Sequence, residues 1–349
     1  MIRYTKDISV ESYQDYWAVR LDVPYFLLSL KQLRSIKWSS CNFLTPFDYE
    51  IFMNPFLSRK RPMLEYLIDV TNMSPDEVHR LPKLHLVSLK ISGWFSSWQD
   101  SLKGRAVSTA FKSILVSSPD LQTLHLISSP RLARLPVIAL EDNEKLPAIR
   151  ELVLHGYYWS PNKPHPLNCW DWSNITHLDL KRVSIVKFGQ VATPEHMQQL
   201  QVFMTDGYCS SGEESIATGL ICRFLNKIAA LEKLSITVDL SKRDCFIQNL
   251  TRFRNLRRLT ITRTMLNRRP LEDDRASSLA RRDQLLHVIQ KKQGAKFDEI
   301  SWNVEVRPAP GLLSSCGSSF FALAQRSLHA QLTYNYRRDN RTIREEIRP

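Results

Sequence analysis

One short apolar motif recurs along the chain and limits its fold more than any other feature. Apolar residues stand at places 1, 4 and 6 of a unit that reads L-x-x-L-x-L. The unit appears as Leu33/Ile36/Trp38, Leu86/Leu89/Ile91, Leu121/Leu124/Leu126, Ile149/Leu152/Leu154 and Ile175/Leu178/Leu180. A weaker copy is Leu200/Phe203/Thr205, followed by Leu231/Leu234/Ile236, Leu256/Leu259/Ile261 and Phe297/Ile300/Trp302. Nine ordered matches exceed what a leucine-containing α/β chain gives by chance. From Leu121 to Leu256 the successive starts lie 28, 26, 25, 31 and 25 residues apart. Successive side chains of a strand face opposite sides, so Leu124 and Leu126 share one face while Thr123, His125 and Ile127 share the other. A single short strand cannot bury such a row alone. Stacked in register, many of them form a parallel sheet over a common leucine core.

This spacing is that of a leucine-rich repeat. The expected fold is therefore α/β: an irregular solenoid with a parallel concave sheet and mostly helical convex returns. Arg105–Ser118 is predicted helical, with Ala106, Val107, Ala110, Phe111 and Ile114 on one face. Ser215–Ala229 repeats the pattern with Ile216, Leu220, Phe224 and Ile228, and Leu279, Leu286 and Ile289 do so before Phe297. Ser74-Pro75-Asp76-Glu77 reads as a capped helix start. The 53 residues between Leu33 and Leu86 leave room for a degenerate unit, for which Leu64/Leu67 is the candidate, with Asp69 in an apolar place. The 41 residues between Leu256 and Phe297 hold an insertion. The expected organisation is an N-terminal cap with the first repeat over 1–80, the repeat array over 81–306, and a C-terminal cap with a basic tail over 307–349.

The full template adds Asn or Cys at place 9. Cys41 fits, with Phe43 two residues on, whereas Trp94, Ser129, Tyr157, Val183, Tyr208, Asp239 and Thr264 depart from it. Irregular repeats with helical returns resemble the ribonuclease-inhibitor-like class. Within it, residues 121–306 resemble the repeat region of fungal F-box/leucine-rich-repeat proteins. The resemblance is carried by Leu146-Pro147-Ala148-Ile149-Arg150-Glu151-Leu152-Val153-Leu154-His155-Gly156-Tyr157-Tyr158-Trp159 and by Trp170-Asp171-Trp172-Ser173-Asn174-Ile175-Thr176-His177-Leu178-Asp179-Leu180. A third echo is Leu285-Leu286-His287-Val288-Ile289-Gln290-Lys291-Lys292-Gln293-Gly294. The resemblance implies repeats that hold a substrate protein, and an F-box that recruits Skp1-like and cullin subunits of a ubiquitin ligase. Residues 1–32 depart from it: they lack a Leu-Pro pair leading into apolar helices.

Composition narrows the partner. The formal net charge is +13, which favours acidic partners. No run approaches the roughly 18 apolar residues of a membrane helix, and the first residues, Met1-Ile2-Arg3-Tyr4-Thr5-Lys6-Asp7, carry no secretory pattern. Cys41, Cys169, Cys209, Cys222, Cys245 and Cys316 include no Cys-x-x-Cys pair, so reduced thiols in the cytoplasm or nucleus are expected. The sequons at Asn174 and Asn249 then read as chance matches.

The middle outward place of each unit gives the row Lys37, Lys90, His125, Val153, Asp179, Met204, Ser235, Thr260 and Ser301, the first candidate partner surface. Gly156–Ser173 is the second. Its Tyr158 and Trp159 are candidate aromatic anchors among Pro161, Pro164 and Pro166, while Trp172, just before a strand, reads as core. Arginines crowd residues 252–282, including Arg258 and Arg263. They make nucleic acid the alternative partner, although no nucleic-acid motif accompanies them and only Phe253 is interleaved. His155, His165 and Cys169 do not form the paired motifs of a zinc site. No phosphate loop, nucleophile elbow or His-Glu-x-x-His helix is present, so neither an enzyme nor a cofactor is expected. Ser58-Arg59-Lys60-Arg61-Pro62 reads as a solvated basic loop, and the arginine-rich tail 335–349 as disordered.

Overall fold

The computed structural model describes residues 7–12, 35–40, 63–69, 86–94, 109, 111–128, 144–157, 169–192, 194–207, 214–238, 253–267, 299–308, 331–337 and 340–348. The chain divides into two compact units. One is Met1–Val183 with Gln190–Met197; the other is Ser184–Gly189 with Gln198–Pro349.

The first unit is built on strands β1 (Asp7–Ser12), β2 (Ser35–Ser40), β3 (Met63–Asp69), β4 (Leu86–Trp94), β5 (Thr123–Ser128), β6 (Glu151–His155) and β7 (His177–Lys181). Each pairs with the next in parallel, giving an open sheet in chain order. Parallel neighbours cannot be joined by a hairpin, so every strand is followed by a crossing segment. Residues 111–116 of one such segment are helical and bury Phe111 and Ile114, as their spacing predicts, together with Leu115.

Register converts the motif into rows. Place 4 runs Leu89–Leu124–Leu152–Leu178 and place 6 runs Ile91–Leu126–Leu154–Leu180 across the sheet. The place-4 row continues through Tyr66 and Trp38 to Val10. Trp38, read from the sequence as place 6 of the first unit, therefore stands in the place-4 row, while Ile36, read as place 4, pairs with Leu64. From β4 onward both rows are buried throughout, as are the place-1 residues Leu86, Leu121, Ile149 and Ile175. A further buried row stands three residues before place 1, at Ser118, Leu146 and Trp172. Beside the strands runs a repeated hydrogen-bond step. The Val87 carbonyl accepts from Gln122 N at 2.8 Å. The Gln122 carbonyl accepts from both Arg150 N and Glu151 N, and the Arg150 carbonyl from both Thr176 N and His177 N. All these carbonyls belong to place 2, so each unit docks on the next by the same backbone contact.

The degenerate unit differs from its sequence reading. Tyr66 and Ile68 pair with Leu89 and Ile91, whereas Leu67 pairs with Lys90 in an outward row. Leu64 pairs with Leu86 of place 1, but Tyr66 and Ile68, not Leu67, continue the rows of places 4 and 6. A one-residue offset exchanges the two faces of a strand, so pairing register decides between the two alignments.

The second unit repeats the scheme. Strands β8 (Val202–Thr205), β9 (Lys233–Val238), β10 (Arg258–Asn267) and β11 (Glu299–Pro308) are parallel. Phe203–Leu234–Leu259–Ile300 and Thr205–Ile236–Ile261–Trp302 are its rows. The place-2 step recurs, with the Gln201 carbonyl accepting from Glu232 N and Lys233 N, and the Glu232 carbonyl from Arg257 N and Arg258 N. Met197, Ile228 and Phe253, three residues before place 1 of their units, are buried like Trp172. Two antiparallel strands, β12 (Gln331–Arg337) and β13 (Asn340–Arg348), follow β11. The tail read as disordered is therefore extended and paired. Its alternation Leu332/Tyr334/Tyr336 places those residues beside Val304, Trp302 and Ile300.

Among the described residues these returns hold two α-helices, α1 (Ile185–Val191) and α2 (Glu214–Lys227). The buried face of α2 is Ala217, Ile221, Phe224, Leu225 and Ile228. Phe224 lies 4.9 Å from the Phe203 ring and 5.9 Å from Phe188 of α1, centroid to centroid. Ile216, expected on that face, is 53% exposed, because the true apolar stripe begins one residue later at Ala217. The predicted helices at 74–77 and 279–289 lie outside the described residues.

Candidate functional site

The outward residues of β4–β7 form a mostly polar lattice with Val153 at its centre and Ile127 in the flanking row. Lys90, His125, Val153 and Asp179 pair successively across the sheet, as the outward places of their units predict. The row on one side is Ser88–Thr123–Glu151–His177, and that on the other is Ser92–Ile127–His155–Lys181. Val153 therefore has His125 and Asp179 beside it on the neighbouring strands, with Glu151 and His155 two residues away along its own. It is buried, and so is Asp179.

Two histidine–carboxylate pairs run diagonally past Val153. His125 Nε2 lies 2.8 Å from Glu151 Oε1, and His155 Nε2 lies 3.1 Å from Asp179 Oδ2. An ionised carboxylate only accepts, so Nε2 is the donor in both pairs. Each pair steps from one strand to the next in the same sense, because both obey the same register. Lys181 Nζ lies 3.6 Å from Asp179 Oδ2, while Asp179 Oδ1 is buried with no hydrogen-bond partner among the described residues.

Electrostatics follow from burial and neighbours. Burial, the largest influence on Asp179, raises its pKa. The hydrogen bond from His155 and the charges of His155, Lys181 and His177 together outweigh it, and the carboxyl sits below its ordinary value. Burial also dominates at His125 and lowers its pKa. The hydrogen bond to Glu151 opposes this, and Lys90 and His177 reinforce it. Both folded-state values are depressed, so in both cases the unfolded chain binds the proton more readily. The His125 contribution is complete above the ordinary histidine range and is lost as pH falls through that range to the folded value. The Asp179 contribution persists further and is lost only as pH falls through its depressed carboxylate value. Thermal unfolding is expected to show a fall in Tm on acidification through the histidine range. His125→Gln should flatten that slope, and an unchanged slope would remove His125 as its source.

The His155–Asp179 pair is measurable separately. Asp179→Ala leaves the part-buried His155 donor without its acceptor and is expected to cost about 1–3 kcal/mol. A double-mutant cycle with His155→Ala should give a coupling of roughly 0.5–3 kcal/mol in chemical denaturation. Strict additivity would show that the pair contributes nothing as a pair.

Of the other residues singled out in the sequence, Lys37 pairs with Ser9 and Glu65, on the row of Ser88 and Thr123. It does not share the row of Lys90, which pairs with Leu67 and through it lines up with Ser39. Arg258 and Arg263 both lie on β10, in the second unit. Arg258 is exposed and pairs with Lys233 and Glu299; Arg263 pairs with Val238 and Val304. Tyr158, Trp159, His165 and the prolines 161, 164 and 166 lie outside the described residues. Trp172 is core, as expected, and Trp170 stacks on it at 5.3 Å. Tyr157 and Val183 fill place 9 with buried apolar groups where the template has Asn or Cys. Among the described residues no three His, Cys, Asp or Glu side chains are grouped to hold a metal.

Glu151, His177 and Lys181 were not singled out in the sequence, and His155 was weighed only as a metal ligand, although each stands two residues from a middle outward place. Counting i±2 from Val153 and Asp179 finds all four. Also unread was a backbone signal at place 8. Gly156, Arg182 and Gly207 have φ of 72°, 53° and 62°, so the chain turns left-handed at the same point of three units. No protein-family model and no curated protein matches the chain.

Proposed function

We propose that this chain is an irregular leucine-rich-repeat protein acting as a non-catalytic protein-binding module, and that the outward face of β4–β7 is its docking surface. The observation that carries this reading is the in-register row Lys90–His125–Val153–Asp179, bounded by Glu151, His155, His177 and Lys181. A parallel sheet fixes those side chains on neighbouring strands, so a partner meets a preformed array and little ordering is left to be done on binding. Lys181 is exposed and Glu151 partly so, which gives a wet polar rim around the buried Val153. The favoured partner is an acidic protein segment, in keeping with the net charge of +13. The resemblance to F-box/leucine-rich-repeat proteins makes substrate recognition for a ubiquitin ligase the specific form of this role, in the cytoplasm or nucleus. No helix among the described residues is long and apolar enough to cross a membrane.

Affinity capture from the native cell tests the proposal, with wild-type chain compared against Lys90→Glu/Lys181→Glu and against Arg223→Glu on α2. The expected result is a partner lost from the first variant and kept by the second. Equal recovery with all three would overturn the docking face. Skp1-like and cullin subunits among the captured proteins would support the ligase role. Their absence, while a control F-box protein recovers them, would reject it. The nucleic-acid alternative rests on the exposed Arg254, Arg257 and Arg258. Retention on DNA or RNA across a salt series tests it, and no retention at low salt removes it.

A further inference from the structure

The outward places of β9 and β10 carry hydrogen-bond donors that the fold leaves unused. We propose that this part of the second unit binds an extended, acidic protein segment, whose carboxylates are held at the rim by Lys233, Arg254, Arg257 and Arg258. The surface is separate from the docking face on β4–β7, and neither reading depends on the other.

Register sets the surface out in pairs. Lys233 aligns with Arg258 at place 3, Ser235 with Thr260 at place 5, and Thr237 with Thr262 at place 7. The residues between them, Leu234, Ile236, Leu259 and Ile261, are buried, so the six share the opposite face. Arg258 is exposed and the other five are half-exposed. None of the six has a side-chain hydrogen bond or ion pair among the described residues. The β4–β7 face differs, since there His125 and Glu151, and His155 and Asp179, are bonded to each other.

The rim at which β9 and β10 begin adds Arg254 and Arg257, both exposed and also without an ion pair among the described residues. Arg257 N and Arg258 N donate to the Glu232 carbonyl, which fixes this stretch beside the start of β9. Two acidic residues share the rim. Glu232 is exposed, and Glu299 stands next to Arg258 in the register. Four cations against these two carboxylates leave the rim with a surplus of positive charge. Asp206 lies at the other end of the surface, just past Thr205 at the end of β8, and has a partner of its own.

An acidic segment matches this layout. Neighbouring strands lie about 4.7–4.9 Å apart, so one carboxylate spans Lys233 and Arg258. The guanidinium fork takes both of its oxygens, and such charge-assisted bonds are the strong ones. In an extended chain every second side chain faces the same way, roughly 6.5–7 Å further on, which is also the step from place 3 to place 5. The Ser235 and Thr260 hydroxyls then donate to the next acceptor, and a hydroxyl serves a neutral polar group as readily as a carboxylate. Nucleic acid fits less well. No outward place of β8–β10 is aromatic, so bases find no stacking platform.

The test uses the full chain and a short fluorescein-labelled poly-glutamate peptide, followed by anisotropy at neutral pH and low, constant ionic strength. Lys233→Gln/Arg258→Gln is compared with Lys90→Gln/Lys181→Gln, which removes the same charge from the β4–β7 face. The first variant is expected to lose roughly three- to tenfold in affinity, and the second little. Equal loss in both, or loss in neither, would show that the peptide responds to net charge or to another surface, and would overturn the proposal. Loss in the second variant alone would overturn it as well while leaving the β4–β7 docking face standing. Should Lys233→Gln/Arg258→Gln fail to fold, Arg254→Gln/Arg257→Gln, exposed and outside the strands, takes its place with an expected loss of roughly threefold or more. A single-stranded RNA runs in parallel. RNA binding that depends on these cations, with no binding of the peptide, would overturn the assignment to an acidic protein segment.

Discussion

Leu152→Ala is expected to destabilise the first unit by about 2–5 kcal/mol. Leu152 is fully buried, and its register neighbours Leu124 and Leu178 are equally buried on either side. Truncation removes the transfer free energy of the deleted carbons and leaves a cavity. That cavity has little room to collapse, because its walls belong to units fixed at both edges by the place-2 hydrogen bonds of Gln122 and Arg150. Stability in a stacked array is the sum of units and their interfaces, so a defect in a middle unit weakens two interfaces at once. Chemical denaturation followed by circular dichroism measures the loss. A loss below about 1 kcal/mol would mean that the leucine rows are not the load they are taken to be. Val153→Ala, one residue along on the opposite face, serves as the comparison. It should cost less, since Val153 loses fewer carbons on truncation and lies among polar side chains.

Gly207→Ala is expected to cost roughly 2–5 kcal/mol, for a different reason. The residue has φ of 62°, the left-handed region that a Cβ disfavours. A Cβ there would also collide with the Thr237 carbonyl oxygen on the neighbouring strand β9. Backbone cannot rotate out of the way as a side chain does, so β8 and β9 would have to separate locally. Gly207 N donates to Thr205 Oγ1 at 3.0 Å, which ties the same turn to the end of β8. Gly219, inside α2, is the natural control. Nothing lies within 4 Å of a Cβ built there, and alanine favours a helix interior over glycine. Gly219→Ala should therefore stabilise by about 0.5–1 kcal/mol. Parallel thermal and urea unfolding of the two variants checks both signs. A neutral Gly207→Ala would show that the left-handed turn is not required.

The rows of the sheet were legible because the motif has a fixed period. Places 1, 4 and 6 name the buried residues of every described unit from β4 to β10, and even the weak unit ending in Thr205 follows them. The outward row from Lys90 to Asp179 followed from alternation alone. Three things were not legible, each for a physical reason. The position of Lys37 depends on the register of β2 on β3 and of β3 on β4, which lines up Ser39 and not Lys37 with Lys90, and no strand's own sequence encodes how far it slides on the next. The extra buried place before each unit holds Ser118, Leu146, Trp172, Met197, Ile228 and Phe253. No single residue type marks it, since shape and not chemistry selects what fills the gap. The left-handed turn at place 8 is marked by glycine at Gly156 and Gly207 but by arginine at Arg182, which hides the repeat from a search for glycine. The diagonal pairs of the site were missed because they join different places in adjacent units. Pairing rows by equal place, as sequence reading does, cannot find a bond from His125 to Glu151 or from His155 to Asp179.

The most direct measurement of the docking claim is site-specific photocrosslinking in the native cell. A photoreactive residue replaces Lys181, which is exposed at the rim of the face, and in a separate chain it replaces Arg223, which is exposed on α2. A discrete protein adduct from position 181 that is absent from position 223 is the predicted result. Adducts at 223 alone, or the same adducts from both positions, would contradict the assignment of β4–β7 as the partner surface.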